Sequence, residues 1–123
     1  MAATTHRDLL VWQEAMILAE AVYKATANFP KEENFVLTSQ LRRAAISVPS
    51  NIAEGAARNS SRELAQLISI ASGSLAELGT QVELAARLHY LESNEHLLAQ
   101  VDRVGRLLSG LRKSVRGKAA MQH

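Results

Sequence analysis

Apolar residues recur at spacings of three and four in four successive stretches of this chain, and that periodicity confines it to helices packed on helices. The first stripe is Leu9, Trp12, Met16, Ala19, Val22 and Tyr23, with Asp8 as the expected N-cap and an end near Asn28. Phe29-Pro30-Lys31 stops it, because a residue before proline is pushed out of the helical region and proline has no N–H to continue the ladder. The second helix opens between Lys31 and Asn34, turns Leu37, Leu41, Ala44, Ala45, Val48 and Ile52 inward, and closes at Gly55 or in the Arg58–Asn59 region. Ser60 followed by Glu63 reads as a capping box for a third helix. Its stripe, Leu64, Leu67, Ala71, Leu75, Leu78, Val82, Ala85 and Leu88, predicts a rod of roughly 40 Å. Ser93 or Asn94 caps the fourth helix, whose stripe is Leu97, Val101, Val104, Leu107, Leu108, Leu111 and Val115.

Short connections force neighbouring helices to reverse, so the expected fold is all-α, an antiparallel up-down-up-down four-helix bundle. It forms one domain over residues 8–116, with flexible termini at 1–7 and 117–123. A length of 123 residues fits a single core, and only five aromatic residues among 47% apolar ones suit close helix packing better than a strand sandwich. Cysteine is absent, which removes disulfides and thiolate metal sites and fits a cytoplasmic address. Met1 to Asp8 has no apolar signal core and no apolar run reaches about 18 residues, so no membrane role is expected.

Charge is distributed unevenly. The net charge is only +2, yet no acidic residue follows Asp102, whereas Arg103, Arg106, Arg112, Lys113, Arg116 and Lys118 do. Arg103, Arg106 and Lys113 project away from the leucine stripe of the fourth helix, with Arg112 and Arg116 toward its flanks; the five are the candidate phosphate contacts. A solvated basic face favoured by the helix dipole is the competing explanation. Aromatic stacking partners are lacking, which argues against sequence-specific reading of single strands.

The second helix carries Pro49 in its interior and a polar seam of Gln40, Arg43, Ser47, Asn51, Glu54 and Arg58 on one side. One reading has the seam satisfied by hydrogen bonds and ion pairs across helices or subunits, with Glu77 as one acceptor. Another takes Arg42, Arg43, Asn51, Glu54 and Arg58 as a second contact set for nucleic acid. A third uses the proline: it frees the Ala45 carbonyl and bends the axis beside Ser47, Ser50 and Asn51, a potential small-ligand site unless Ser50 or Asn51 re-satisfies the backbone. The third helix has a face of small residues, Ala65, Ser69, Ser72, Ala76 and Gly79, which reads as a subunit contact and predicts a homo-oligomer.

No catalytic motif is present. His6, His89, His96 and His123 lie at ends or near the third turn, no Glu-x-x-His pair or phosphate loop exists, and Ser47, Ser50 and Ser74 have no suggestively placed base. The expectation is a non-enzymatic protein with no cofactor and no metal.

Several segments together carry a family resemblance: Asp8-Leu9-Val11-Trp12, Phe29-Pro30 with Glu33, Gln40 through Gly55, and Ile70 through Leu78. Over Asp8 to Leu111 the chain resembles the four-helix-bundle proteins encoded in intervening sequences of bacterial 23S ribosomal RNA genes. The Ser47–Gly55 string is the most specific part. The resemblance implies an antiparallel bundle assembled as a ring, in the form of a homopentamer, and no reaction. A related branch is similar to accessory proteins of diversity-generating retroelements, which partner a reverse transcriptase and bind nucleic acid through a basic surface. Gly79 stands where an acidic residue is expected, and Leu64 and Leu67 replace aromatics. The expected function is an oligomeric scaffold for nucleic acid, RNA above DNA, with a protein-interaction adaptor or a ligand site at the Pro49 bend as alternatives.

Overall fold

The computed structural model describes residues 5–121, with side chains described for residues 5–117. Four helices account for the architecture: α1 (Leu10–Thr26), α2 (Leu37–Ala56), α3 (Ser61–Arg87) and α4 (Glu95–Met121). No strand occurs among the described residues. Each helix packs on two others, α1 on α2, α2 on α3, α3 on α4 and α4 back on α1, so the four close a ring around one core.

The direction of each helix follows from pairs that run in opposite order along two chains. Gly55 lies against Leu64 and Leu67, Ser47 against Ser74, and Gln40 against Gln81, which makes α2 and α3 antiparallel in a single register. Gly79 against Val101 and Gly105 against Leu75 do the same for α3 and α4. The core joins Val11, Leu18 and Val22 of α1, Leu41, Val48 and Ile52 of α2, Ile68, Leu78 and Val82 of α3, and Leu97, Val104 and Leu108 of α4.

Local chemistry sets the boundaries. Ser60 Oγ accepts from Glu63 N at 3.1 Å and starts α3 as the sequence predicts. Asp8 does not cap α1: its carboxylate accepts from Thr5 N at 3.0 Å and closes a 3-10 turn over His6–Asp8, leaving Leu9 as the N-cap. Lys31–Glu33 is likewise a separate 3-10 turn, and α2 begins only at Leu37. Of the expected flexible ends, residues 1–4 and 122–123 lie outside the described residues. The fourth helix, however, continues through Gly117 to Met121.

Two packing details depart from the pattern read in the sequence. The buried stripe of α1 is Val11, Ala15, Leu18 and Val22, while Met16 and Tyr23 remain 38% and 41% exposed. The helix is apolar around much of its circumference, so spacing admitted a stripe about a quarter turn away from the one that packs. Gly55 is not a terminator but a buried residue inside α2, where a Cβ would sit 2.8 Å from Leu64 Cδ1 and 3.2 Å from Leu67 Cβ. Gly79, by contrast, has room for a methyl, with Val101 Cγ1 at 3.5 Å.

The end of the bundle near the α3–α4 turn is tied by polar and aromatic contacts. Tyr90 OH donates to Glu33 Oε2 at 2.8 Å, and its ring packs on Phe29 with centroids 5.4 Å apart. The bond to Glu33 first, then desolvation and the negative charges of Glu33 and Glu32, push the Tyr90 phenol above its ordinary range. His89, just past α3, takes φ of 62°, the left-handed conformation that usually belongs to glycine.

Candidate nucleic-acid interface

The five basic residues of α4 do not form one surface. Helical geometry sends Arg103 toward α1, where its Nη2 lies 3.0 Å from Glu14 Oε1. Arg106 lies 3.4 Å from Asp102 Oδ2, with both side chains largely exposed. Lys113 and Arg116 are exposed, and neither has an ion pair among the described residues. Arg112 turns the other way, toward α3, and its Nε is sealed from solvent without a hydrogen-bond partner.

Arg112 reaches a groove of about 440 Å³ between α3 and α4, lined also by Ser72, Leu75, Ala76, Val101, Asp102, Gly105, Arg106 and Ser109. Ser72, Ala76, Gly105 and Ser109 are too small to fill the space between the helices. Part of the small-residue face expected at a subunit contact therefore meets α4 of the same chain. The groove brings two arginines and two hydroxyls together, with the Asp102 carboxylate offset by Arg106, so its free cation among the described residues is Arg112.

Antiparallel topology then gathers further charge. The C-terminal half of α4 shares its end of the bundle with Arg7 before α1, Arg58 after α2 and Arg62 at the start of α3. Asp8, Glu54 and Glu63 are the acids there, and Glu54 is taken by Arg58 Nη2 at 2.7 Å. The far end holds Glu20, Glu32, Glu33, Glu83, Glu92 and Glu95 against Lys24, Lys31, Arg42, Arg43 and Arg87, with Arg42 bonded to Thr26 at the end of α1. One end of the bundle is clearly basic and the other close to balanced with a slight acidic excess, a separation that the small net charge conceals.

The polar seam of α2 meets mostly its own chain. Ser47 Oγ and Ser74 Oγ lie 2.8 Å apart; Asn51 Nδ2 donates to Ser47 O at 2.8 Å and to Ser47 Oγ at 2.9 Å. Gln40 Oε1 accepts from Gln81 Nε2 at 3.3 Å, and that same amide reaches Glu77 Oε1 at 3.2 Å. Glu77 thus meets the seam through Gln81. Arg58 and Glu54 pair along the helix, and Arg43 points out to solvent. Pro49 is buried, so the polar residues beside it reach the surface and the proline does not. Asn51 bonds the carbonyl of Ser47, leaving that of Ala45 without this partner.

Arg42 lies on the other flank of α2. Its Nε donates to Thr26 Oγ1 at 2.9 Å, and its guanidinium lies 4.6 Å from the centre of the Tyr23 ring. Around it opens a groove of about 740 Å³ lined by Tyr23, Asn34, Phe35, Thr38, Ser39, Arg42, Arg43, Ile46 and Ser47. Phe35, 95% exposed, was not among the residues singled out from the sequence. It precedes the α2 stripe, which opens at Leu37, and lies in the connection just before the backbone break at Val36, with φ −122° and ψ −100°.

Among the described residues no cluster of three or more His, Cys, Asp or Glu could hold a metal ion, and no helix is long and apolar enough to cross a membrane. A family model described as 23S rRNA-intervening sequence protein matches residues 7–110. A crystal structure of a protein of unknown function from the S23 ribosomal protein family of Bacteroides thetaiotaomicron VPI-5482 is 23% identical, covering 85% of this chain and 99% of that one, with a TM-score of 0.76. That likeness supports the fold. No curated protein matches the chain.

Proposed function

The chain belongs to the 23S rRNA-intervening sequence protein family, and from its charge distribution we propose that it is a non-enzymatic scaffold that binds RNA through the basic end of the bundle. The observation that carries this reading is the run Arg112, Lys113 and Arg116 on α4: no acid follows Asp102, and neither Lys113 nor Arg116 is neutralised by an ion pair among the described residues. Arg103, held to Glu14, orients α4 against α1, and Arg106 shares its charge with Asp102. Phosphate contact therefore falls to Lys113 and Arg116, with Arg112 in the adjoining α3–α4 groove and Arg7 and Arg58 at the same end of the bundle.

Self-association belongs to the proposal. Ile70, Leu84 and Leu88 remain 45–49% exposed along the outer edge of α3, beside the seam it shares with α2, and covering them in a second copy removes apolar surface from water. Repeating the basic end around a ring gives a polyanion several weak contacts at once, which raises avidity without new chemistry. The five-membered ring implied by the family resemblance predicts a light-scattering mass about five times 13.4 kDa.

The test is binding of RNA across a salt series. Affinity should fall linearly with salt on logarithmic axes, because each neutralised phosphate releases counterions. Changing Lys113→Glu and Arg116→Glu together should reduce the slope; absence of binding to mixed RNA even at low salt would sink the reading.

A further inference from the structure

We propose that the groove between the end of α1 and the start of α2 is a site for single-stranded RNA, with Phe35 stacking on a base and Arg42 and Arg43 holding the adjoining phosphates. The inference rests on the RNA reading above and adds a second surface of different chemistry. Four observations carry it. Phe35 presents an almost wholly exposed ring at the mouth of a groove of about 740 Å³, an arrangement that intramolecular packing does not use. Arg42 is fixed by Thr26 Oγ1 at its Nε and lies over Tyr23, so its remaining N–H groups are pre-positioned rather than mobile. Arg43 is exposed beside it, and neither arginine has an ion pair among the described residues. Thr38 lines the same groove at 4% exposure, and its Oγ1 has no hydrogen-bond partner.

Charge and shape select the occupant. No acidic residue lines the groove; Glu33, the nearest acid on the connecting turn, has one carboxylate oxygen engaged by Tyr90 OH at 2.8 Å. Two cations beside an exposed aromatic ring match the alternation of phosphate and base in an unpaired strand. Asn34 and Ser39 add donors and acceptors for base edges. A duplex keeps its bases stacked on one another and offers none to Phe35, so the groove discriminates against it. Stacking partners are thus missing from α4, as the sequence indicates, but one is present on this side of the bundle.

The test compares a fluorescein-labelled twelve-nucleotide poly(A) RNA strand with a twelve-base-pair RNA duplex by fluorescence anisotropy on the full chain. Phe35→Ala should weaken single-strand binding about tenfold and leave duplex binding unchanged. Arg43→Glu should also weaken the single strand more than the duplex. Lys113→Glu with Arg116→Glu should weaken both. Single-strand affinity within twofold of wild type in Phe35→Ala and Arg43→Glu would overturn this site while leaving the basic end intact. No binding of either RNA by the wild type would overturn both. Light scattering run alongside supplies a further check: if Phe35→Ala dissolves an oligomer, the ring belongs to a contact between copies and the proposal is wrong. Circular dichroism confirms that the variants fold, as expected for substitutions at exposed positions.

Discussion

The two ends of the bundle differ in charge and in how they are held together. At the basic end, α2 and α3 are joined by residues 57–60 and close on each other through Gly55, whose missing side chain lets Leu64 and Leu67 approach. At the acidic end the helices are tied by longer connections, the Tyr90–Glu33 hydrogen bond and a left-handed His89. The contrast teaches that close packing and positive charge coincide at one end of this bundle. The end where Gly55 lets two helices close on each other is also the one that collects cations, whereas the other end is secured in part by one bond, Tyr90 to Glu33, that responds to pH.

The strongest challenge to this comparison is Gly55→Val. Overpacking against Leu64 and Leu67 should destabilise the fold by about 3 kcal/mol in denaturant titration, whereas Gly79→Ala should stabilise it by up to about 1 kcal/mol. Equal effects at the two glycines would mean that the basic end is no tighter than the rest. Next in size, Lys113→Glu with Arg116→Glu should lower RNA affinity about 30-fold at low salt, while Glu32→Lys at the acidic end should not lower it. A matching loss from Glu32→Lys would erase the functional distinction between the ends. Smaller again, His89→Gly should raise stability by roughly 1 kcal/mol, since glycine takes positive φ without a Cβ penalty. The smallest expected change comes from Tyr90→Phe, which should lower the melting temperature slightly at neutral pH. Because the folded-state phenol titrates above its unfolded value of 10.0, the stabilisation is complete below that pH and disappears as pH rises through the folded value. The gap between wild type and variant should therefore close in strong alkali; a gap independent of pH would assign the effect to packing on Phe29.

Much of this architecture is legible in the residues. The α2 stripe from Leu37 to Ile52 buries as its spacing indicates, and Ser60 caps α3. Periodicity fails on α1, where apolar residues occupy too many sides for spacing to choose between Met16 and Leu18. The pairing of Arg103 with Glu14 depends on which helix lies beside α4, information that no local pattern contains. The same is true of the charged ends, which appear only when distant Arg7, Arg58, Arg62 and Arg116 are brought to one side by topology. His89 carries no sequence mark of its left-handed backbone, because glycine or asparagine would be the usual signal. Phe35 escapes detection because it stands before the α2 stripe, in a connection whose course no periodic pattern sets.

The hydrogen bonds along the α2–α3 seam bear on how the chain chooses among competing alignments. Stripes of leucine, alanine and valine repeat every helical turn, so apolar burial alone is nearly degenerate to sliding one helix along the other by about four residues. Such a slip would set Ser47 opposite Ile70 or Leu78 and take Gln40 away from Gln81, a residue only 7% exposed, leaving its amide the bond to Glu77 alone. The Ser47–Ser74 and Gln40–Gln81 contacts make that error costly while contributing little net energy of their own. They act as a key cut for one alignment, and a hairpin that forms first with this key engaged would present α1 and α4 with a template already in step.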